Sequence, residues 1–382
     1  MSPVATVQSK RTPMILGRDL ARGYGGLLIS GLCLLFLMPA LLTDFRLDLL
    51  AKFVCFAIVA IGVDIAWGYG GMLVLGQGVF FGLGGYAMAM HLKLAEAKEM
   101  GLDVPDFMSW SGVEKLPAIW GPFQYSWFAI LATLLVPMVI AFLLGSLVFR
   151  RRVRGAYFAI LTQALAAAFV ILLIGQQGLT GGTNGLTNIT SFFGMDLTDP
   201  DSTTTLYTMA VVALGVAYLL ARQLVYSRFG RLLIAVRDGE DRVRFLGYDP
   251  ATVKTIAFTF SAGLAGVAGA LFVPIVGIIS PAMLGIVPSI EMVIWVALGG
   301  RATLVGAVAG ALVVNYAKTG LSEQFPGAWT YFQGLLFILV IAFIPAGVAG
   351  GLRIARKRMR EAAEEKRERA SAAAGYGETR FE

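Results

Sequence analysis

Five polar side chains interrupt stretches that are otherwise apolar: Asp64, Gln77, Gln163, Glu291 and Asn315. A carboxylate or amide is costly to place against acyl chains, so each is expected to face protein or water and to mark a solute path or a broken helix. Glu291 stands about two turns into its run, either as a pathway carboxylate or as one paired with a neighbouring helix. Asp64 lies one turn before the stretch 68–71, GYGG, where it can bond freed backbone amides. Gln77 sits among Gly76, Gly78, Gly82, Gly84 and Gly85. Its amide both donates and accepts, which suits a small neutral polar solute, and the glycines permit close approach of a solute or of another helix.

Bond-breaking chemistry has no candidate. The chain contains no GxxxxGK[ST] phosphate cradle, no HExxH and no nucleophile elbow. Cys33 and Cys55 both fall in apolar runs, which supports neither a disulfide framework nor a metal site. The single histidine, His91, ends an apolar run and reads as an interfacial residue rather than a ligand.

The elements that must hold these residues are membrane helices. Of 382 residues, 57% are hydrophobic and 14% charged, against about 25% charged in soluble domains, and the mean hydropathy is +0.74. A soluble globular domain is excluded, and the fold class is an all-α polytopic membrane protein of about ten spans. The expected spans are 24–43, 47–68, 72–92, 126–149, 156–175, 204–224, 251–276, 282–300, 303–319 and 330–349. The third, rich in glycine, and the eighth, with Pro288 and Glu291, are expected to be broken or re-entrant.

The net charge is +7, and its basic residues cluster in the tail 1–23, at 150–154 (RRRVR), in 227–250 and after Gly351. The positive-inside rule puts these together on the cytosolic side, with both termini, and points to anionic lipid rather than nucleic acid as the partner of the charge. The loops 93–125 and 176–203 then face outward, and the first is long enough to receive a delivering protein. The tail 351–382 reads as a solvated helix with a disordered end. The membrane-spanning body is 24–350.

The stretch 227–250 is different in kind. Leu232, Leu233, Val236, Val243 and Leu246 recur at helical spacing, while Arg231, Arg237, Asp238, Glu240, Asp241, Arg242 and Arg244 face elsewhere, with a break near Gly239. Such a helix lies at the membrane surface and offers one face to a soluble partner. A weaker feature is an echo between 67–76 and 295–306, each with Trp and a Gly pair.

Taken in order, 68–77 (GYGGMLVLGQ), 80–86 (FFGLGGY), 154–162 (RGAYFAILT), 180–186 (TGGTNGL), 227–247 and 261–271 (SAGLAGVAGAL) resemble the permease subunits of branched-chain amino-acid type ABC importers over about 45–350. Within that family the MLVLG of 72–76, the PDFM of 105–108, 295–304 and the YFQG of 331–334 are similar to urea-importer permeases. The resemblance implies a second permease as heterodimer partner, two ATP-binding subunits that hold ATP and Mg, a periplasmic solute-binding protein, and a place in the bacterial inner membrane. This chain itself would carry no cofactor. It also implies that Ala235, Arg237, Gly239, Glu240 and Gly247, with Asp238 and Arg242 between them, form the segment that couples to the ATPase. Branched-chain amino acids are the alternative substrate. The alternative mechanism is a self-contained channel or proton-coupled transporter with Glu291 titrating.

Overall fold

A computed structural model describes residues 31–324 and, beyond them, 331, 332, 334, 335 and 338. The expected tails 1–23 and 351–382, part of the first span and nearly all of the tenth lie outside the described residues. Nine helices of 14 residues or more are described: α1 Asp44–Val63, α2 Gln77–Glu99, α3 Ser126–Arg150, α4 Ala156–Gly175, α5 Pro200–Tyr226, α6 Arg228–Phe245, α7 Pro250–Val276, α8 Ile286–Gly299 and α9 Leu304–Gln324. Six of them (α1 with its extension, α3, α4, α5, α7 and α9) are long and apolar enough to cross a membrane.

Burial divides these helices as their sequences require. α1 beyond Lys52 and α7 beyond Lys254 carry no charged residue within the helix and form the centre of the bundle, with α2, α3 and α5 packed against them. α3, α4 and α5 bury one stripe each and leave Ile130, Phe142, Ile160, Ile171, Val212 and Val216 exposed, as a lipid-facing surface demands. Lipid is as apolar as leucine, so cohesion rests on close packing. A Cβ on Gly84 of α2 would collide with the Gly266 backbone of α7, and one on Gly269 with the Phe81 carbonyl. Glycine at these crossings lets two backbones touch. Phe80, Phe149 and Phe158 then gather around Phe258, with ring centroids 5.3–6.3 Å from it.

Two helices are interrupted, at places the sequence only approximated. α1 continues as a π-helix, Asp64–Tyr69, and the chain then unwinds through 71–76 before α2 starts at Gln77. The expected third span, 72–92, is therefore displaced: Gly71 turns the backbone at φ +70°, and the Leu75 amide donates to Thr162 Oγ1 at 3.0 Å instead of into a helix. The expected eighth span, 282–300, is a 3-10 turn, Pro281–Leu284, followed by α8. With 14 residues, α8 rises about 21 Å and cannot cross about 30 Å of hydrocarbon.

One end of the bundle is basic. There Arg154 reaches Glu240 at 3.2 Å and Asp241 at 3.0 Å, and Arg237 reaches Gly68. At the other end the long loops meet. Leu186 and Ile279 exchange two backbone hydrogen bonds, 2.9 and 3.0 Å, and a short hairpin pairs β1 Ser191–Phe192 with β2 Met195–Asp196. Buried Lys93 ties the loops together through Glu96 at 2.8 Å and the Asn188 carbonyl at 3.1 Å, and His91 Nδ1 lies 2.7 Å from the Phe123 carbonyl.

Candidate solute site and docking surface

The two interruptions meet. Gly78, in the first turn of α2, packs on Ser289 Oγ and on the carbonyls of Met283 and Leu284, while Gly82 faces the Leu284 side chain. The Gly78 amide donates to Ser289 Oγ at 3.0 Å, and Ser289 in turn donates to the Gly285 carbonyl at 2.9 Å. α2 and α8 thus begin side by side, and neither start has a side-chain cap. Ser261, which touches this region, lies 11 residues into α7, about 17 Å along it. The junction is therefore deep between the two ends of the bundle. The positive ends of two helix dipoles favour a carbonyl or carboxylate oxygen there. Irregular backbone at such depth persists where protein or water satisfies it.

Gln77 is fully buried at this junction and donates from Nε2 to the Ser261 carbonyl at 3.1 Å and to Ser261 Oγ at 3.0 Å. Its Oε1 has no partner among the described residues. The Thr162 hydroxyl holds the approach to it through the Leu75 amide, and a Cβ on Gly76 would strike the Thr162 carbonyl. Thr162, Ser261 and Ser289 were not singled out by the sequence. Their hydroxyls can bond their own helices, so they leave no trace in a hydropathy pattern.

The other four polar candidates do not join Gln77. Glu291 lies two residues past Ser289, on the other side of α8 at about 100° per residue, and pairs with Lys318 of α9 at 2.7 Å. Of its two readings, the geometry is that of the helix-locking carboxylate. Asn315 donates to the carbonyl of Ala311 in its own helix at 2.8 Å, and Gln163 is half-buried beside Thr162. Asp64 accepts from the Ala302 amide at 2.7 Å, not from the adjacent 68–71 stretch. The echo stretches also meet here, with the Arg301 guanidinium 4.2 Å from the centre of the Trp67 ring.

α6 is amphipathic and kinked at Gly239, where ψ is 77°, as its sequence requires. Two of its residues turn inward instead of outward. Arg237 Nη1 donates to the Gly68 carbonyl at 2.7 Å, and its stem packs on Gly71. Glu240 is nearly buried, bound to Lys254 at 2.5 Å and to Arg154 and Arg244. These are ties to the bundle, because an unpaired carboxylate or guanidinium there would lose its partners. Ala235, Asp238, Arg242 and Gly247 remain exposed, joined by Phe245, Leu246 and Tyr248. Polar and apolar groups side by side on one short helix make a surface fit for a protein partner. The hydrogen bond from Arg154 holds the Asp241 carboxyl below the usual carboxylate range and raises the guanidinium in turn.

Close-packed crossing helices, two starts opposed at mid-depth and an amphipathic surface helix define a polytopic membrane transport component. The family described as branched-chain amino acid transport system / permease component matches residues 45–344, and the chain belongs to it. Among curated proteins it is similar to the high-affinity branched-chain amino acid transport system permease protein LivM of Salmonella typhimurium (strain LT2), 29% identical over 236 residues, 56% of this chain and 55% of that one. LivM of Escherichia coli (strain K12) is 29% identical over 229 residues, 54% and 53% of the two chains. The autoinducer 2 import system permease protein LsrC of Salmonella paratyphi B is 30% identical over 227 residues, 56% and 62%. The chain thus spans between about half and three fifths of the length of these relatives. No solved structure matches it.

Proposed function

We propose that the chain is the translocation subunit of an ATP-driven importer for a small hydrogen-bonding solute, urea or a short amide. The observation that carries this reading is the bond from Arg237 to the Gly68 carbonyl. It ties α6 to the end of the π-helix from which the unwound stretch 71–76 leads to Gln77. Of two ATP-binding subunits, holding ATP and Mg, one would seat on Ala235, Asp238, Arg242, Gly247 and the exposed Phe245 and Leu246. A second permease would complete the path, and a periplasmic solute-binding protein would deliver to the opposite end. The basic end then faces the cytosol across the bacterial inner membrane. When the motor closes, α6 moves, the stretch 68–76 moves with it, and the Gln77 junction opens to one side or the other.

The unpartnered Gln77 Oε1 supports an N–H donor as solute, and the paired helix starts support an oxygen acceptor; an amide offers both. Branched-chain amino acids are the second reading, favoured by the names of the LivM relatives and by the affinity of helix starts for a carboxylate. Uptake of labelled urea against labelled leucine, into vesicles holding this chain and the products of its neighbouring genes, separates the two. Leucine import without urea import overturns the first. Arg237→Ala is expected to lower ATP-dependent uptake about tenfold while the complex still assembles. ATP-insensitive, pH-sensitive uptake by this chain alone would instead establish a motor-free transporter.

A further inference from the structure

Along the outside of the bundle, α3 and α7 leave a groove between them. On α3 its wall is Leu134, Met138, Phe142, Ser146 and Arg150, one residue per turn; on α7 it runs from Thr252 through Ile256 and Phe260 to Val267. Two hollows lie in line along it; the one nearest Arg150 has about 110 Å³ and is lined by Phe142 and Ile256 together with Ser146, Arg150, Thr252 and Thr255. Deeper in, where α5 adds Ala213, Val216 and Leu220, it widens into an apolar cavity of about 470 Å³. Gly263 makes the room, because a Cβ there would meet Met138.

Charge at the mouth says what the groove takes. Arg150, Arg151 and Arg152 are exposed, and among the described residues none of them makes an ion pair. Arg154, two residues on, is by contrast consumed by Glu240 and Asp241. The acids that act on them are already engaged: Asp249, near Arg150, by the Thr252 hydroxyl and the Ala251 and Thr252 amides at the start of α7, and Asp241, near Arg152, by Arg154. Arg150 to Met138 is 12 residues, about 18 Å, close to the depth of one hydrocarbon leaflet, about 15 Å. A groove with three exposed cations at headgroup level, none held in a close ion pair, and an apolar chamber one acyl chain deeper has the dimensions and charge of one lipid.

We propose that this groove binds one anionic phospholipid of the basic-side leaflet, its phosphate on Arg150–Arg152 and one acyl chain in the cavity between α3, α5 and α7. The site is on the lipid-facing outside of the bundle, away from Gln77, so it does not depend on the solute or on the motor. The test is native mass spectrometry of the full importer complex, delipidated in detergent and titrated with phosphatidylglycerol or with phosphatidylcholine. The wild type is expected to retain phosphatidylglycerol about tenfold better. Replacing the three arginines together (R150Q, R151Q, R152Q) is expected to abolish that preference. Val216→Trp, which fills the chamber from an exposed wall, is expected to lose retained lipid of both kinds, and Leu220→Trp serves as the second filling variant should the first not assemble. Equal retention of the two lipids by the wild type overturns the proposal. So does retention unmoved by the filling variants, or cross-linking of a cysteine at Phe142 to a partner permease rather than to lipid.

Discussion

At the scale of single residues, two charged contacts allow clean tests. Asp249 caps α7, and the Thr252 hydroxyl, with the Ala251 and Thr252 amides, holds its carboxyl below the usual range. A depressed carboxylate contributes stability that is present above its unfolded value and is lost as pH falls through its folded one. Asp249→Ala is therefore expected to cost about 1 kcal/mol near pH 7, and the gap between variant and wild type should close in acid below about pH 4. Thermal unfolding across that range checks it. For Glu291 and Lys318, either single neutralisation strands a charge between α8 and α9, whereas Glu291→Lys with Lys318→Glu restores the pair. Rescue of uptake by the swap would establish a lock; uptake lost in the swap as well would return Glu291 to the solute path. Gln77 was legible in the sequence because an amide in a glycine-rich apolar run has few bland explanations. Thr162 and Ser289 were not, since a hydroxyl satisfied within its own helix is invisible until the tertiary partner is seen, and Ser261 was not, since a lone serine in a small-residue run reads as helix packing.

Elements were legible wherever length and hydropathy alone decide them. α3, α4, α5 and α7 lie within a few residues of their expected bounds, and the kink of α6 at Gly239 fell where the amphipathic phase changed. The interrupted helices were placed less well. Met72–Leu75 is as apolar as any helix start, and only Gly71 with the Thr162 hydroxyl makes it extended. Likewise 282–285 reads as part of a span until Gly78 and Gly82 are found pressed against it. The crossing of α2 and α7 yields the prediction at this scale. Gly84→Leu would drive a side chain into the Gly266 backbone, where no flexible group can give way. Its yield of monodisperse protein should collapse, while Gly215→Leu, with nothing near its Cβ, should express normally.

For the whole molecule, the two ends have separate wiring. The basic end joins α6 to the bundle through Arg237, Glu240 and Arg154, so α6 is tied both to α7 and to the π-helical extension of α1. The opposite end is stapled by Leu186 and Ile279. If these outer segments move as one body, a cross-link between Leu186→Cys and Ile279→Cys, in a background lacking Cys33 and Cys55, should leave uptake within about twofold. A large loss would mean that they separate in each cycle.

The shortness of α8 has an energetic corollary for whatever passes through. A rod of 14 residues leaves about 9 Å of the slab without α-helix, and the 3-10 turn Pro281–Leu284 stands between its start and the outer pairing of Ile279 with Leu186. A moist vestibule descending from the far surface to the level of Ser289 would bridge that gap. A traveller would then shed its own water over the remaining thickness only, which shortens the dielectric barrier to roughly two thirds of a full crossing.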